Sequence, residues 1–355
     1  MSIEVITSAD PASLAPFDAI IDVRSPAEFA EDHVPGAINL PVLSNEQRAE
    51  VGTIYVQRSR FLARRIGAAH VARNIARHLE TALADREGGF RPLVYCWRGG
   101  QRSNAMATVL SQVGWRTSLL EGGYKTYRRA VQRRLYDEEM ALTLVLLDGG
   151  TGSGKTRMLG RLAHRGVQVL DLEGLAGHRG SLFGAFADAP QPSQKMFESR
   201  LLAALDALDP ARPVVVEAES SKIGERMTPP ALWKLMQAAP RIELNAPRAE
   251  RARYLVAAYG DIVRNRAALE EAFARLPTHP GRERLEGWRK LADAGQFETL
   301  AEALIELHYD PAYARSAKKD GRPKLRTIEL ETLAEDGQEA AADEIAALVG
   351  GMKAS

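Results

Sequence analysis

Cys96 is the only cysteine in 355 residues, and its neighbours are of the kinds that turn a thiol into a thiolate. An apolar run, Leu93-Val94-Tyr95, stops at Cys96 and passes into Trp97, Arg98, Gly99, Gly100, Gln101, Arg102 and Ser103, after which residues 104 to about 113 carry a helical pattern. Backbone N–H groups of such a turn, and of the helix start behind it, can converge on one sulfur and favour its anion. A lone cysteine is more often a small buried hydrophobe; two glycines flanked by two arginines move the reading to a nucleophile. Five residues separate Cys96 from Arg102, the spacing with which a loop cradles a tetrahedral oxyanion on successive N–H donors and an arginine fork. Thiolate attack on a phosphate ester is one chemistry such a loop permits. Attack on a chalcogen carried by a phosphoryl group is another.

A second apolar run, residues 143–148, ends at Gly149-Gly150-Thr151-Gly152-Ser153-Gly154-Lys155-Thr156 and is followed by a helical pattern. Strand, glycine-rich turn and helix make a complete P-loop: its N–H groups approach phosphate oxygens, Lys155 reaches the terminal phosphates, and Thr156 is placed to hold magnesium. The motif fixes phosphate binding, not hydrolysis. Asp171 and Glu173 close one apolar strand and Glu217 and Glu219 another, where such proteins keep metal-orienting or base carboxylates; Asp171 reads equally well as a helix cap. His178-Arg179-Gly180-Ser181 and Gln191-Pro192-Ser193-Gln194-Lys195 are dense in polar groups that no generic P-loop explains, and they join the candidate site. Arg248, Arg251 and Arg253 either close over phosphates or form a solvated face.

These residues need frames to hold them. The length suggests two domains. In the first, residues 1–135, the run 19–23 reads as a buried strand, with Ser25-Pro26-Ala27-Glu28 as cap, first-turn proline and capping-box glutamate of a helix. Short strands follow near residues 38 and 117–120, and alternation of strands with helices implies a parallel sheet whose sites lie at the carboxyl ends of the strands. A basic helical insertion covers about residues 46–80. The second domain, residues 136–355, is α/β around the P-loop with a helical cap from about residue 261. Pro311 and Pro323 mark a looser end segment, and the final residues read as a surface helix with a frayed end. One cysteine excludes an internal disulfide or a cysteine zinc cluster and suits a reducing cytoplasm. No apolar run approaches the roughly 20 residues of a membrane span, and no signal-peptide pattern opens the chain.

Net charge is +1, which by itself argues neither for nor against nucleic acid. Its distribution says more. Residues 51–79 contain no acidic side chain but carry Arg58, Arg60, Arg64, Arg65, Arg73 and Arg77, and a second cluster holds Lys125, Arg128, Arg129, Arg133 and Arg134. Flanking Cys96 in sequence, the two suggest the path of a polyanion such as RNA.

Asp22-Val23-Arg24-Ser25-Pro26, His33-Val34-Pro35-Gly36-Ala37-Ile38-Asn39 and the Cys96 loop together resemble the rhodanese domain over about residues 5–135, although the loop is one residue longer than is usual there. The resemblance implies that Cys96 carries a persulfide or its selenium equivalent. With the P-loop behind it and the His-Arg-Gly-Ser and Gln-Pro-Ser-Gln-Lys blocks, nearly the whole chain resembles the tRNA 2-selenouridine synthase family. That implies replacement of sulfur by selenium in the wobble 2-thiouridine of tRNA through an S-geranyl intermediate, with geranyl diphosphate and selenophosphate as donors, magnesium at most as helper, and no tightly bound cofactor. The alternative is a rhodanese-type sulfurtransferase fused to a P-loop kinase or NTPase, which nucleotide hydrolysis would distinguish.

Overall fold

Short strands rich in Val, Ile and Leu, each handing over to a helix, produce two parallel sheets in the computed structural model, which describes residues 3–180, 184, 189–263, 265–274, 276, 281–317 and 321–352. Ser181 lies outside these residues. The chain divides into two compact units, Met1–Glu138 with Ser193–Asp206, and Glu139–Pro192 with Ala207–Ser355.

In the first unit β1 (Glu4–Ile6), β2 (Ala19–Asp22), β3 (Ile38–Asn39), β4 (Pro92–Tyr95) and β5 (Ser118–Leu120) lie in the order β1-β5-β4-β2-β3, all parallel. The helix Pro26–Glu31 starts as its sequence predicts, on Ser25 with Glu28 closing the capping box. The basic insertion is a pair of packed helices, Asn45–Gln57 and Arg60–Glu80. Central β4 is buried along its whole length, and Ile21, Val94, Met106 and Leu110 form the apolar cluster that also takes in Cys96.

The helix Gln194–Asp206, which the sequence assigns to the second domain, belongs with the first unit. Its carboxylates explain why. Glu198 pairs with Arg128 and accepts from the Tyr136 hydroxyl at 2.7 Å, and Asp206 accepts from Arg134 at 2.7 Å. Arg128 and Arg134 of the second basic cluster are thereby neutralised inside the unit, while Arg129 and Arg133 remain exposed.

The second unit is built on β6 (Leu144–Gly149), β7 (Gln168–Leu170), β8 (Val214–Glu217), β11 (Arg241–Asn245) and β12 (Lys324–Glu329) in the parallel order β12-β11-β6-β8-β7, with a small hairpin of β9 (Lys222–Ile223) and β10 (Arg226–Met227). The end segment is better ordered than its prolines suggest. It supplies edge strand β12 and a helix, Glu335–Gly350, that buries Ala341, Ala342, Ile345 and Val349 in the core with Leu147 and Leu159. The helices Arg266–Ala274, Arg282–Asp293 and Phe297–Leu304 lie in the stretch from about residue 261 that reads as a helical cap, and the helix Arg248–Ala258 precedes them. A buried ion pair, Asp148 with Arg241 at 2.6 Å, lies at the root of the P-loop, and the other oxygen of Asp148 accepts from the Gly149 N–H.

Candidate functional site

Cys96 sits at the carboxyl end of β4, 3% exposed. Its sulfur accepts from the Gly100 N–H and from the Ser103 hydroxyl, each at 3.2 Å. Burial pushes the thiol up, but the Ser103 hydroxyl and the backbone N–H groups of Ser103, Arg98 and Gly100 together outweigh it and bring the thiol below its ordinary value. The loop is braced from behind: Tyr124 N–H donates to the Cys96 carbonyl at 2.8 Å and Lys125 N–H to that of Trp97 at 3.2 Å. This approach needs Gly123, which has φ +58° and where a Cβ would overlap the Cys96 carbonyl oxygen.

Trp97 stacks on Tyr124 with centroids 5.2 Å apart. The guanidinium of Arg24, 1% exposed, lies 4.1 Å from the Tyr124 ring and pairs with Asp22 at 2.6 Å. The Asp-Val-Arg triplet of the sequence is therefore the floor under the loop. Arg98 and Gln101 are exposed, and Gly99 adopts φ +66°. Arg102 is held by Glu28 through hydrogen bonds of 2.7 and 3.3 Å, so the fork expected to face a tetrahedral donor is here engaged at the rim of the loop by the capping-box glutamate.

Arg58, Arg60, Arg64, Arg65, Arg73 and Arg77 are all exposed on the helical insertion. The charge count passed over their apolar neighbours Tyr55, Val56 and Phe61, which are exposed as well; aromatic residues interleaved with arginine were the available signal.

In the second unit the P-loop opens on a cavity of about 430 Å³ lined by Lys155, Thr156, Glu173, His178, Arg179 and Glu219 among others. Lys155 Nζ donates to the Gly149 carbonyl at 2.9 Å, and the Thr156 hydroxyl donates to Glu173 at 2.8 Å. Helix Arg248–Ala258 lies directly on the loop: a Cβ at Gly152 would come within 2.9 Å of the Arg251 carbonyl and of Leu255. Arg251 donates to the Thr151 carbonyl at 2.9 Å and pairs with Asp310, while Arg248 pairs with Glu306. Arg251 thus braces the loop from outside.

Burial and the neighbouring Glu219 push Glu173 up to about 8. Glu217 lies below, fully buried, raised first by burial and then by Asp171 and Glu173; one of its oxygens accepts from Leu172 N–H and the other has no partner. Asp171 caps the helix Leu172–Ala176 through Gly174 N–H at 2.7 Å. Arg179 reaches Asp261 at 3.0 Å and lies over the Tyr259 ring, and His178 Nδ1 accepts from Gly180 N–H. Gln194 and Lys195 are not part of this cavity's lining; on their helix in the first unit they contact Glu198 and Glu31. Among the described residues no three His, Cys, Asp or Glu side chains converge as a cage for a metal ion. Magnesium needs less, one or two carboxylates beside phosphate oxygens. The mutual repulsion of Glu173 and Glu219 next to the Thr156 hydroxyl fits such a cation.

Leu255 and Tyr259 line this cavity and also a second, apolar cleft, walled further by Ile262, Leu269, Phe297, Leu300, Ala301 and Leu304. Nothing in the sequence pattern marked it, because its walls come from separate cap helices.

Residues 10–130 match the family model of the rhodanese-like domain and residues 142–279 that of the tRNA 2-selenouridine synthase AAA domain. The chain is 36% identical over 236 residues to the tRNA 2-selenouridine synthase of Nitrosomonas europaea, a match covering 65% of this chain and 61% of the relative. It is 35% identical over 237 residues to that of Bdellovibrio bacteriovorus, covering 64% and 61%. With the synthase of Cupriavidus pinatubonensis it shares 32% over 336 residues, 84% of this chain and 89% of the relative. The first two matches thus span about three fifths of the relatives' length.

Two outcomes follow from the electrostatics. Ser103→Ala removes a donor from the sulfur, so the midpoint of the pH profile for iodoacetamide alkylation of Cys96 moves upward; an unmoved midpoint would assign the thiolate to the backbone donors alone. Glu173 titrates near 4.5 when unfolded and at about 8 when folded, so between those values the folded state binds more protons and stability falls as pH rises. Glu173→Gln flattens that fall, as measured by urea unfolding across the same range.

Proposed function

The chain belongs to the tRNA 2-selenouridine synthase family, and from that premise we propose that it replaces sulfur by selenium in the wobble 2-thiouridine of tRNA by way of S-geranyl-2-thiouridine, in the reducing cytoplasm that a lone thiol suits. Geranyl diphosphate and selenophosphate are the donors. A thiocarbonyl sulfur is a poor leaving group. Alkylation forms the S–C bond as the geranyl C–O bond breaks and diphosphate leaves. The selenium of selenophosphate then attacks carbon 2, so that the C2–Se bond forms, the C2–S bond breaks and geranyl thiolate leaves with the electron pair, and water cleaves the remaining P–Se bond to release phosphate.

The observation that carries this reading is the apolar cleft beside the phosphate-binding loop. A prenyl chain needs hydrocarbon walls next to its diphosphate, and the walls of the cleft, about 70 Å³ with the cap helices packed as they are, are hydrocarbon. In this scheme the loop N–H groups and Lys155 hold the diphosphate and stabilise the charge that grows as it departs. Thr156, Glu173 and Glu219 are the groups that would hold magnesium, which when bound supplies further positive charge to the leaving oxygens. His178 and Arg179 complete the wall around the phosphates. Cys96, with its lowered thiol, belongs to the selenium half of the reaction, and the arginines from Arg58 to Arg77 bind the RNA backbone.

Supplying the two donors separately to 2-thiouridine RNA and following the product by mass spectrometry tests this. Lys155→Ala loses geranylation by on the order of a hundredfold or more yet still converts pre-geranylated RNA, whereas Cys96→Ser does the opposite. Loss of both steps in either variant refutes the division, and ATP hydrolysis without geranylation by the wild type would favour the kinase or NTPase alternative. Filling the cleft with Ala301→Trp weakens geranyl diphosphate binding at least about tenfold and leaves pyrophosphate binding intact in calorimetric titration.

A further inference from the structure

The turn joining the helices Asn45–Gln57 and Arg60–Glu80 carries an unusual set of surface residues. Val56 is 83% exposed, Phe61 76% and Tyr55 46%. Single exposed apolar side chains are ordinary, but three within seven residues, flanked by exposed Arg58, Arg60, Arg64 and Arg65, form a patch that is apolar and cationic at once. The guanidinium of Arg60 lies 5.5 Å from the Tyr55 ring centroid. Flat rings beside guanidinium groups are what unpaired nucleobases stack on, while the same cations meet the phosphates.

The patch is next to the chemistry. Tyr55 and Arg64 line a groove of about 450 Å³ that also takes in Gln101 and Arg102 of the Cys96 loop, between walls that include Ala105 and Val109. Val71 and Ile75, further along the groove, pack in the apolar cluster that holds Cys96. The sulfur of a residue that is 3% exposed cannot meet a base that stays in its stack, so a reacting base must be splayed out and its place in the stack compensated.

We propose that this turn is a nucleobase-stacking element for a single-stranded RNA loop, with Tyr55, on the groove that reaches the Cys96 loop, and Phe61, exposed on the same turn, as the stacking platforms. The inference rests on the reading of the substrate as tRNA. Charge complementarity selects RNA over a second copy of this chain, whose equivalent patch would bring the same arginines together.

The test uses the full chain and two probes, an RNA hairpin with 2-thiouridine at the wobble position of its loop and a blunt RNA duplex of equal length, titrated by fluorescence anisotropy over a range of salt. Phe61→Ala should weaken hairpin binding roughly five- to 150-fold, leave duplex binding unchanged and keep the slope of log K against log salt. Phe61→Leu, which keeps an apolar side chain but no ring, should lose most of the same affinity, and Phe61→Trp should retain it. Arg60→Gln with Arg64→Gln should instead lower the slope on both probes. Wild-type affinity in Phe61→Ala, or an equal loss on hairpin and duplex, would overturn the stacking role while leaving the tRNA reading standing. A wild type that ignores the hairpin would overturn both. Dissociation of a wild-type dimer by Phe61→Ala, seen by sedimentation, would reassign the patch to self-association.

Discussion

A buried sulfur at the end of a parallel strand can stay negative only if hydrogen-bond donors replace the water it has lost, and the first unit is arranged around that requirement. Gly100 N–H and the Ser103 hydroxyl supply the donors at 3.2 Å. Both belong to the turn and first helical residues after β4, so the strand sets where the sulfur is and the helix start sets what faces it. The rest of the unit keeps that turn in place. Tyr124 and Lys125 tie its carbonyls to the next element, buried Arg24 supports the aromatic pair beneath it, and Glu28 closes a helix start while holding Arg102.

The second unit solves the same problem with the sign of the difficulty reversed. Its loop offers N–H groups and Lys155 to anions, yet directly beside them lie Glu173 and Glu219, and burial together with Glu219 outweighs Lys155 so that Glu173 holds its proton up to about 8. Two carboxyl groups this close are costly without a positive partner. On the proposed function, a cation brought in with a diphosphate would remove that cost.

Both loops, the strands that carry them and the helix starts behind them were legible in the sequence because each is a local pattern: an apolar run, a glycine turn, a capping residue. What was not legible depends on contacts between residues far apart in the chain. The helix Gln194–Asp206 looks like part of the second domain until Arg128, Arg134 and Tyr136 are seen to hold Glu198 and Asp206. Arg128 and Arg134 look like open surface in the sequence for the same reason. Strand β12 follows Pro323, and only its register against β11 makes it an edge strand. The cleft beside the P-loop is a gap between cap helices that no single helix encodes. Arg102 was legible as part of the loop, but its partner Glu28 lies 74 positions away.

Two cradles also answer a chemical conflict within the proposed pathway. A site that activates an allylic diphosphate makes an electrophile that any nearby thiolate would capture, and Cys96 is a thiol made more acidic than usual. Building the diphosphate site on one parallel sheet and the sulfur on another, and burying the sulfur with its lone pairs already accepting from Gly100 and Ser103, keeps the electrophile and the thiolate in separate cradles. On that proposal the RNA visits both cradles, the stacking turn serving the thiol and the hydrocarbon cleft the phosphates.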